Sequence, residues 1–135
     1  MPPSATSTGV RTPAGQNLAV AAEILYLVNL LFVPVVAFVA LFILYQFKIR
    51  RAPPLAACHL RQTLSASIWA GVILVLINLV IITLGGYQSS WTWLIVILYF
   101  TVCHASLVLL GAIGLAKAMA GQNYRYPLVG RPCDD

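Results

Sequence analysis

The sequence predicts an all-α integral membrane protein, a bundle of three transmembrane helices. Of its 135 residues, 61% are hydrophobic and 8% are charged, whereas soluble domains are roughly 45–50% apolar and about 25% charged. The apolar residues also fall into three runs, each long enough for the roughly 20 residues of a membrane-crossing helix. A chain of this length has room for a single domain. We therefore expect one membrane domain over residues 18–120, with a polar tail at each end.

The first helix is predicted over about residues 20–47, after a polar N-terminal tail of residues 1–17. As one helix, the apolar run from Leu18 to Phe47 is about 45 Å long, more than a hydrocarbon core of about 30 Å. Pro34 lies in the middle of the run and predicts a kink. The tail has a composition typical of disorder, and the apolar run is too long for a signal peptide. We expect this helix to stay as an uncleaved anchor.

The second and third helices are predicted over residues 58–84 and 91–119. Small residues recur every four positions on the third helix: Gly114 with Ala118, and a neighbouring ridge of Ala112, Ala116 and Ala120. Ridges of this kind let helix backbones approach closely. We expect the third helix to pack tightly, either within the bundle or against another membrane subunit.

Positive charges predict the orientation of the bundle. Seven of the eight cations lie in the loop after the first helix, just beyond that loop, or around the end of the third helix: Lys48, Arg50, Arg51, Arg61, Lys117, Arg125 and Arg131. With three crossings these regions share one side, which the positive-inside rule places in the cytoplasm. The N-terminus is then outside, and residues 121–135 form a cytoplasmic tail. The cations form no groove-sized cluster, so no nucleic-acid partner is predicted.

The distribution of acids argues against an enzyme. The three carboxylates are Glu23, Asp134 and Asp135, and none lies between the first and the second of them. This excludes paired-carboxylate catalysis and oxygen-ligated divalent metals from the interior of the chain. There is also no GxSxG motif, and we expect no acid to orient a histidine for nucleophilic catalysis. We predict no catalytic residues and no metal site.

Two Cys-His dipeptides, at Cys58-His59 and Cys103-His104, are the remaining candidates for a cofactor site. Adjacent helical residues point in different directions, so neither dipeptide chelates a metal alone. The two histidines are also predicted to differ by roughly 15–20 Å in depth, too far to bracket one haem. The three cysteines have no CxxC spacing and are interpreted as small apolar fillers. We predict no cofactor, with His104 as a weak alternative candidate.

Asn29 and Asn78 are predicted to form a polar contact between the first and second helices. Both lie six residues inside the outer end of an apolar segment, and therefore at similar depth. An amide in hydrocarbon needs a partner, and such bonds contribute about 0.6–2 kcal/mol. Contact between helices is favoured over a substrate site.

The order of these segments resembles a family of small three-helix bacterial membrane proteins. Its members carry a domain of unknown function and are described as similar to the small channel subunit of the chloroplast Tic translocon. The resemblance covers roughly residues 25–128 and rests on His59, Arg61, Gln62, Leu64, Gly121 and the Tyr124-Arg125-Tyr126-Pro127 segment. Ser65 and Ser67 stand where the family pattern has Asn and Gln. The resemblance implies a multi-pass protein of the bacterial inner membrane, and the family has no agreed activity.

The predicted function is that of a non-catalytic accessory subunit that packs against, assembles or stabilises a larger membrane complex. Its partners would be other integral membrane subunits and lipids. The residues predicted to dock a partner or lipid headgroups are His59, Arg61, Tyr124, Arg125 and Tyr126. One alternative, implied by the resemblance, is a translocation or conducting component, although polar residues along one helix face are few. The other is a haem or quinone electron carrier that uses His104.

Overall fold

The structure, a computed structural model, describes residues 12–133, and the regular elements in that range are helices. There are four: α1 (Gln16–Leu31), α2 (Pro34–Lys48), α3 (Pro54–Gly85) and α4 (Ser90–Met119). Helices α3 and α4, of 32 and 30 residues, are long and apolar enough to cross a membrane. The all-α prediction is confirmed for this part of the chain.

The first apolar run forms two short helices where the sequence predicted one. Helices α1 and α2 have 16 and 15 residues, about 24 and 22 Å, so each is shorter than a hydrocarbon core of about 30 Å. Helix α1 ends at Leu31, and Pro34 begins α2, where a residue without an N–H is well tolerated. The prediction of one transmembrane helix over residues 20–47 is therefore wrong, because Pro34 starts a new helix instead of kinking a continuous one.

Helices α1 and α2 run antiparallel and form a hairpin. Ala22 of α1 packs in one cluster with Leu41 of α2 and Leu60 of α3. Gly15, just before α1, lies against the start of α3, and a Cβ added to it would come within 2.9 Å of the Ala56 Cβ. Its φ of 81° also favours glycine there. The two outer ends of the hairpin therefore lie beside the first residues of α3.

The two ends of the described chain lie at the same end of the bundle. The Gln16 side-chain amide donates a hydrogen bond of 2.6 Å to the carbonyl of Met119, the last residue of α4. Gln16 and Met119 therefore lie on the same side, whereas the predicted arrangement placed these two positions on opposite sides of the membrane. We call this end of the molecule the basic end; its cations include Lys48, Arg50, Arg51, Lys117, Arg125 and Arg131.

The hairpin predicts a specific labelling pattern in intact cells. We expect cysteines placed at Asn17 and Asn123, both at the basic end, to be protected from an impermeant maleimide, because the cations favour the cytoplasm. A cysteine at Gln88, in the loop between α3 and α4, is expected to react. Cys103→Ser provides the background, because Cys58 and Cys133 lie at the basic end and are expected to be out of reach of the reagent as well. Labelling of both Asn17→Cys and Gln88→Cys would contradict the hairpin and support the three-crossing arrangement.

Candidate functional site

A cluster of polar side chains is buried where α1, α3 and the C-terminal tail meet. Glu23 of α1 and His59 of α3 are both fully buried, at 0% exposure. The Glu23 Oε1 and His59 Nδ1 atoms lie 2.5 Å apart. The Tyr126 hydroxyl donates a second 2.5 Å hydrogen bond to Glu23 Oε2. We call Glu23, His59 and Tyr126 the Glu23 network.

The geometry of His59 fixes the number of protons in this network. Its Nδ1 faces the Glu23 carboxyl group, and its Nε2 lies 2.9 Å from the carbonyl oxygen of Gln122. A neutral imidazole has one N–H, and a carbonyl can only accept. One proton therefore lies on Nε2 and a second lies between Glu23 and His59. Two forms have this number of protons: a carboxylate beside an imidazolium, and a carboxylic acid that donates to the Nδ1 of a neutral imidazole. In both forms the pair carries no net charge.

Tyr126 is the tail's contribution to the network, and it is almost completely buried. Burial, followed by the neighbouring Glu23 charge, raises the pKa of the Tyr126 hydroxyl well above its ordinary value. The hydroxyl therefore keeps its proton and can donate to the carboxylate. The Tyr126 ring also contacts the ring of Tyr26 edge to face, with centroids 5.4 Å apart. Aromatic pairs prefer this arrangement.

Two side chains in the N-terminal half of α3 hold the rest of the tail. The Gln62 Oε1 atom accepts hydrogen bonds from the backbone N–H groups of Tyr126 (3.4 Å) and Arg131 (3.1 Å). The Ser65 hydroxyl donates to the Val129 carbonyl at 2.7 Å. These contacts satisfy backbone groups that would otherwise be buried without partners. The tail is therefore a structured part of the fold.

A disulfide between Cys58 of α3 and Cys133 links the end of the tail covalently to this helix. The interpretation of all three cysteines as apolar fillers is wrong for this pair, while Cys103 is not in a disulfide. The two cysteines are 75 residues apart and have no spacing motif, so only the folded tail brings them together. The bond constrains the unfolded chain and fixes the last described residue of the tail on α3.

Loss of the disulfide is expected to loosen the end of the tail without unfolding the helices. In Cys133→Ser, we expect hydrogen exchange at the Arg131 amide to become at least about tenfold faster, because its bond to Gln62 loses a nearby covalent anchor. Exchange in α4 is expected to stay unchanged. Mass spectrometry of deuterated peptides measures both, with Cys103→Ser as the matched control. Equal exchange in the two variants would show that the disulfide does not hold the tail.

The predicted docking residues separate into two groups. His59 and Tyr126 belong to the Glu23 network and are buried. Tyr124 is half-buried, with its ring centroid 5.1 Å from that of Tyr126, and Arg61 is half-buried on α3. Arg125 alone of the five is exposed. Of these residues, it is the one most available to a partner.

The remaining candidate residues from the sequence are Asn29, Asn78 and His104, and they do not form a single site. The Asn78 amide donates to the Leu74 carbonyl of its own helix at 2.7 Å, and no hydrogen bond joins it to Asn29 within residues 12–133. Asn29 and His104 instead line a cavity between the helices. The His104 ring stacks on Phe100, with centroids 5.3 Å apart. Coupling between the two asparagines stays a prediction.

Sequence reasoning missed Glu23 as the centre of the site. From the sequence, no acid was expected to orient a histidine, whereas Glu23 contacts His59 directly. A single carboxylate inside an apolar run predicts a buried polar partner, because such a group is costly to bury alone. No group of three or more metal-ligating side chains is found in the described part of the chain.

The chain matches the magnetosome magnetite crystal formation protein family, MamF/MmsF, over residues 15–132, and it belongs to that family. The matched range contains the four helices and almost all of the described tail. No curated protein and no solved structure matches the chain. The family supports the expectation of a small membrane protein. The likeness to the Tic channel subunit stays a prediction.

Proposed function

We propose that this magnetosome-family protein is a non-enzymatic accessory subunit of the magnetosome membrane. In this proposal it supports magnetite crystal formation by docking a partner membrane protein at its basic end. Helices α3 and α4 cross the membrane, and the hairpin of α1 and α2 enters from the cytoplasmic side. The family description supplies the process, and the tail geometry supports the docking role.

The observation that carries the proposal is the exposed side of the tail. Leu128 is completely exposed, at 104%, and adopts a left-handed φ of 65°. This conformation costs a residue with a Cβ about 1–2 kcal/mol. The Val129 N–H donates to the Pro127 carbonyl at 2.7 Å and closes a tight turn around it. An exposed apolar side chain held in a strained conformation is typical of a contact residue.

Charge indicates the chemistry of the partner. Arg125 is exposed three residues before Leu128, and together they form what we call the tail surface. The one carboxylate among residues 12–133 is Glu23, which is fully buried. The basic end therefore presents cations without neighbouring exposed carboxylates in this range. An acidic surface on the partner would complement it.

Helix α4 also supports contact with another membrane subunit. Gly114 and Ala118 of this helix are buried, whereas the second ridge of small residues is exposed and consists of Ala112, Ala116 and Ala120. An exposed ridge lets another transmembrane helix approach closely. The ridge leads directly to the tail, so one partner could contact both.

Charge reversal at Arg125 tests this function. We expect Arg125→Glu to reduce cross-linked partner recovered from native membranes about tenfold or more, because repulsion replaces attraction at an acidic interface. Complementation of a deletion strain should then give fewer or smaller magnetite crystals. The matched control is Arg50→Glu, another exposed cation of the basic end. The docking proposal would be contradicted if both reversals changed membrane extraction equally and neither changed the amount of cross-linked partner. The tail would then be a lipid anchor.

A further inference from the structure

The Cys58–Cys133 disulfide lies at the basic end of the molecule. Cys58 is in the second turn of α3, shortly after the cationic segment of residues 48–51, and Cys133 ends the described tail. In the proposed orientation this end faces the cytoplasm, because cytoplasmic segments carry an excess of Lys and Arg. Disulfides are rare in that compartment, and those that form there are usually transient, as catalytic or redox-sensing bonds. The position of this disulfide therefore indicates a reversible bond.

The two sulfur atoms differ in their access to a reagent. Cys58 is 3% exposed, whereas Cys133 is half-buried, so an attacking thiolate reaches the Cys133 sulfur and Cys58 is the leaving group. Polar groups are also in place for the reduced form. The Cys58 sulfur lies 3.8 Å from the carbonyl oxygen of Tyr124, to which a Cys58 thiol can donate. The side-chain amide of Gln62 donates to the Cys133 sulfur at 3.4 Å.

Gln62 links the disulfide to the backbone of the tail. Its Oε1 atom accepts a hydrogen bond of 3.1 Å from the Arg131 N–H, and its Nε2 atom donates to the Arg131 carbonyl as well as to the Cys133 sulfur. The tail packs so closely here that a Cβ added to Gly130 would clash with Gln62 Oε1. If Cys133 moves away from α3, residues 130–133 therefore lose their contacts with Gln62 together.

A second attachment keeps the tail in place when the disulfide is open. Tyr126 is bonded to Glu23, and this contact involves no cysteine. Opening the disulfide therefore frees the part of the tail beyond Tyr126, which includes the exposed Leu128. Tyr126 precedes Cys133 by seven residues, and so short a tether gives the Cys133 thiol a high effective concentration near Cys58. The bond can close again within the same molecule.

We propose that the Cys58–Cys133 disulfide is a thiol–disulfide switch, which holds Leu128 in the tail surface when it is closed and releases it when a cytoplasmic thiol opens it. The thiolate attacks the Cys133 sulfur and forms a mixed disulfide, while the electron pair of the broken S–S bond leaves with Cys58, which takes up a proton. A second thiol attacks the reductant's sulfur and frees Cys133 as a thiol. Two thiols thus become one disulfide, and two electrons pass to the protein. The effect on partner docking rests on the proposed function, whereas the redox change of the tail does not.

Hydrogen exchange of the purified full chain in reduced and oxidised glutathione buffers tests the switch. We expect reduction to accelerate exchange at the Arg131 amide at least about tenfold and to leave α4 unchanged, with the slow rate restored on reoxidation. Cys58→Ser should exchange fast in both buffers, and Cys103→Ser, which keeps the disulfide, should behave as the wild type.

The state of the bond in cells is measured by acid quenching, alkylation of free thiols and a gel-shift assay. Treatment of the cells with the thiol oxidant diamide should raise the ratio of disulfide to thiol form at least about threefold, because a reversible bond follows the redox state of the compartment. Cross-linking in membranes prepared in each state should recover at least about fivefold more partner from the oxidised form, because a fixed surface binds more tightly than a mobile one.

Two results would overturn the switch. A bond that stays fully closed, or fully open, in cells with and without diamide would be a permanent link or an unused pair of thiols. Equal exchange at Arg131 in both buffers, with the bond shown to be open in one, would mean that the disulfide does not control the tail. The docking role is judged separately: recovery of no partner in either state contradicts that role, while equal recovery in both states keeps it and contradicts its control by the switch.

Discussion

Replacing Glu23 with leucine is expected to lower the free energy of unfolding by about 3–5 kcal/mol, the usual cost of removing one partner from a buried ion pair. Both oxygens of this carboxylate are in use, at 2.5 Å from His59 and from Tyr126. The substitution leaves an imidazole and a phenol buried without their acceptor. It should also release the tail, because Tyr126 loses its bond to α1.

Two further variants separate the charge from the hydrogen bonds. Glu23→Gln keeps one acceptor but makes His59 either an unpaired cation or a neutral ring that cannot donate to both sides, so we expect a loss of about 1–3 kcal/mol. The double variant Glu23→Leu with His59→Leu should cost less than the sum of the single changes. Denaturation in detergent, followed by circular dichroism, measures all of these. Strict additivity would mean that the two residues do not interact.

Gly114→Ala is expected to destabilise the bundle by about 1–3 kcal/mol, although alanine is the better helix former. A Cβ at this position would lie 2.6 Å from both Glu23 Oε2 and the Tyr126 hydroxyl. Neither atom can move away without breaking the hydrogen bond that joins them. The substitution should therefore weaken the tail attachment as well as the packing of α4 on α1.

Gly71→Ala is the matched control for this change, because it also places a methyl group on a helical glycine. No atom lies within 4 Å of the added Cβ, so we expect a gain of about 0.5–1 kcal/mol from helix propensity. Thermal denaturation in the same detergent compares the two variants. If both were stabilised equally, the close approach at Gly114 would have no energetic consequence.

The sequence was sufficient to predict α3 and α4, and insufficient for the hairpin. An uninterrupted apolar run of spanning length has few alternatives to a helix, as Pro54–Gly85 and Ser90–Met119 show. The run from Leu18 to Phe47 was compatible with one kinked helix or with two separate helices, since a proline can either kink a helix or begin one. Packing of Ala22 on Leu41 stabilises the two-helix arrangement, and this contact forms only after the chain has reversed direction.

The candidate site was harder to predict than the helices because it depends on contacts between distant segments. His59 and Tyr126 were both identified as candidates, but for contact with a partner or headgroups. Their acceptor, Glu23, is 36 residues from His59 and 103 from Tyr126 along the chain. Local patterns report on faces and periodicity, and none of them pairs residues at such separations. The fold itself was needed to bring the carboxylate to the histidine.

The hairpin also gives the molecule a tapered shape. Four helices are side by side near the basic end, whereas only α3 and α4 continue past the tip at Phe32. With a helix diameter of about 10 Å, the two additional helices add roughly 160 Å² of cross-section to one half of the bundle. In a bilayer, such a wedge expands one leaflet more than the other. Crowded copies would then favour a surface that is convex on the side of the basic end.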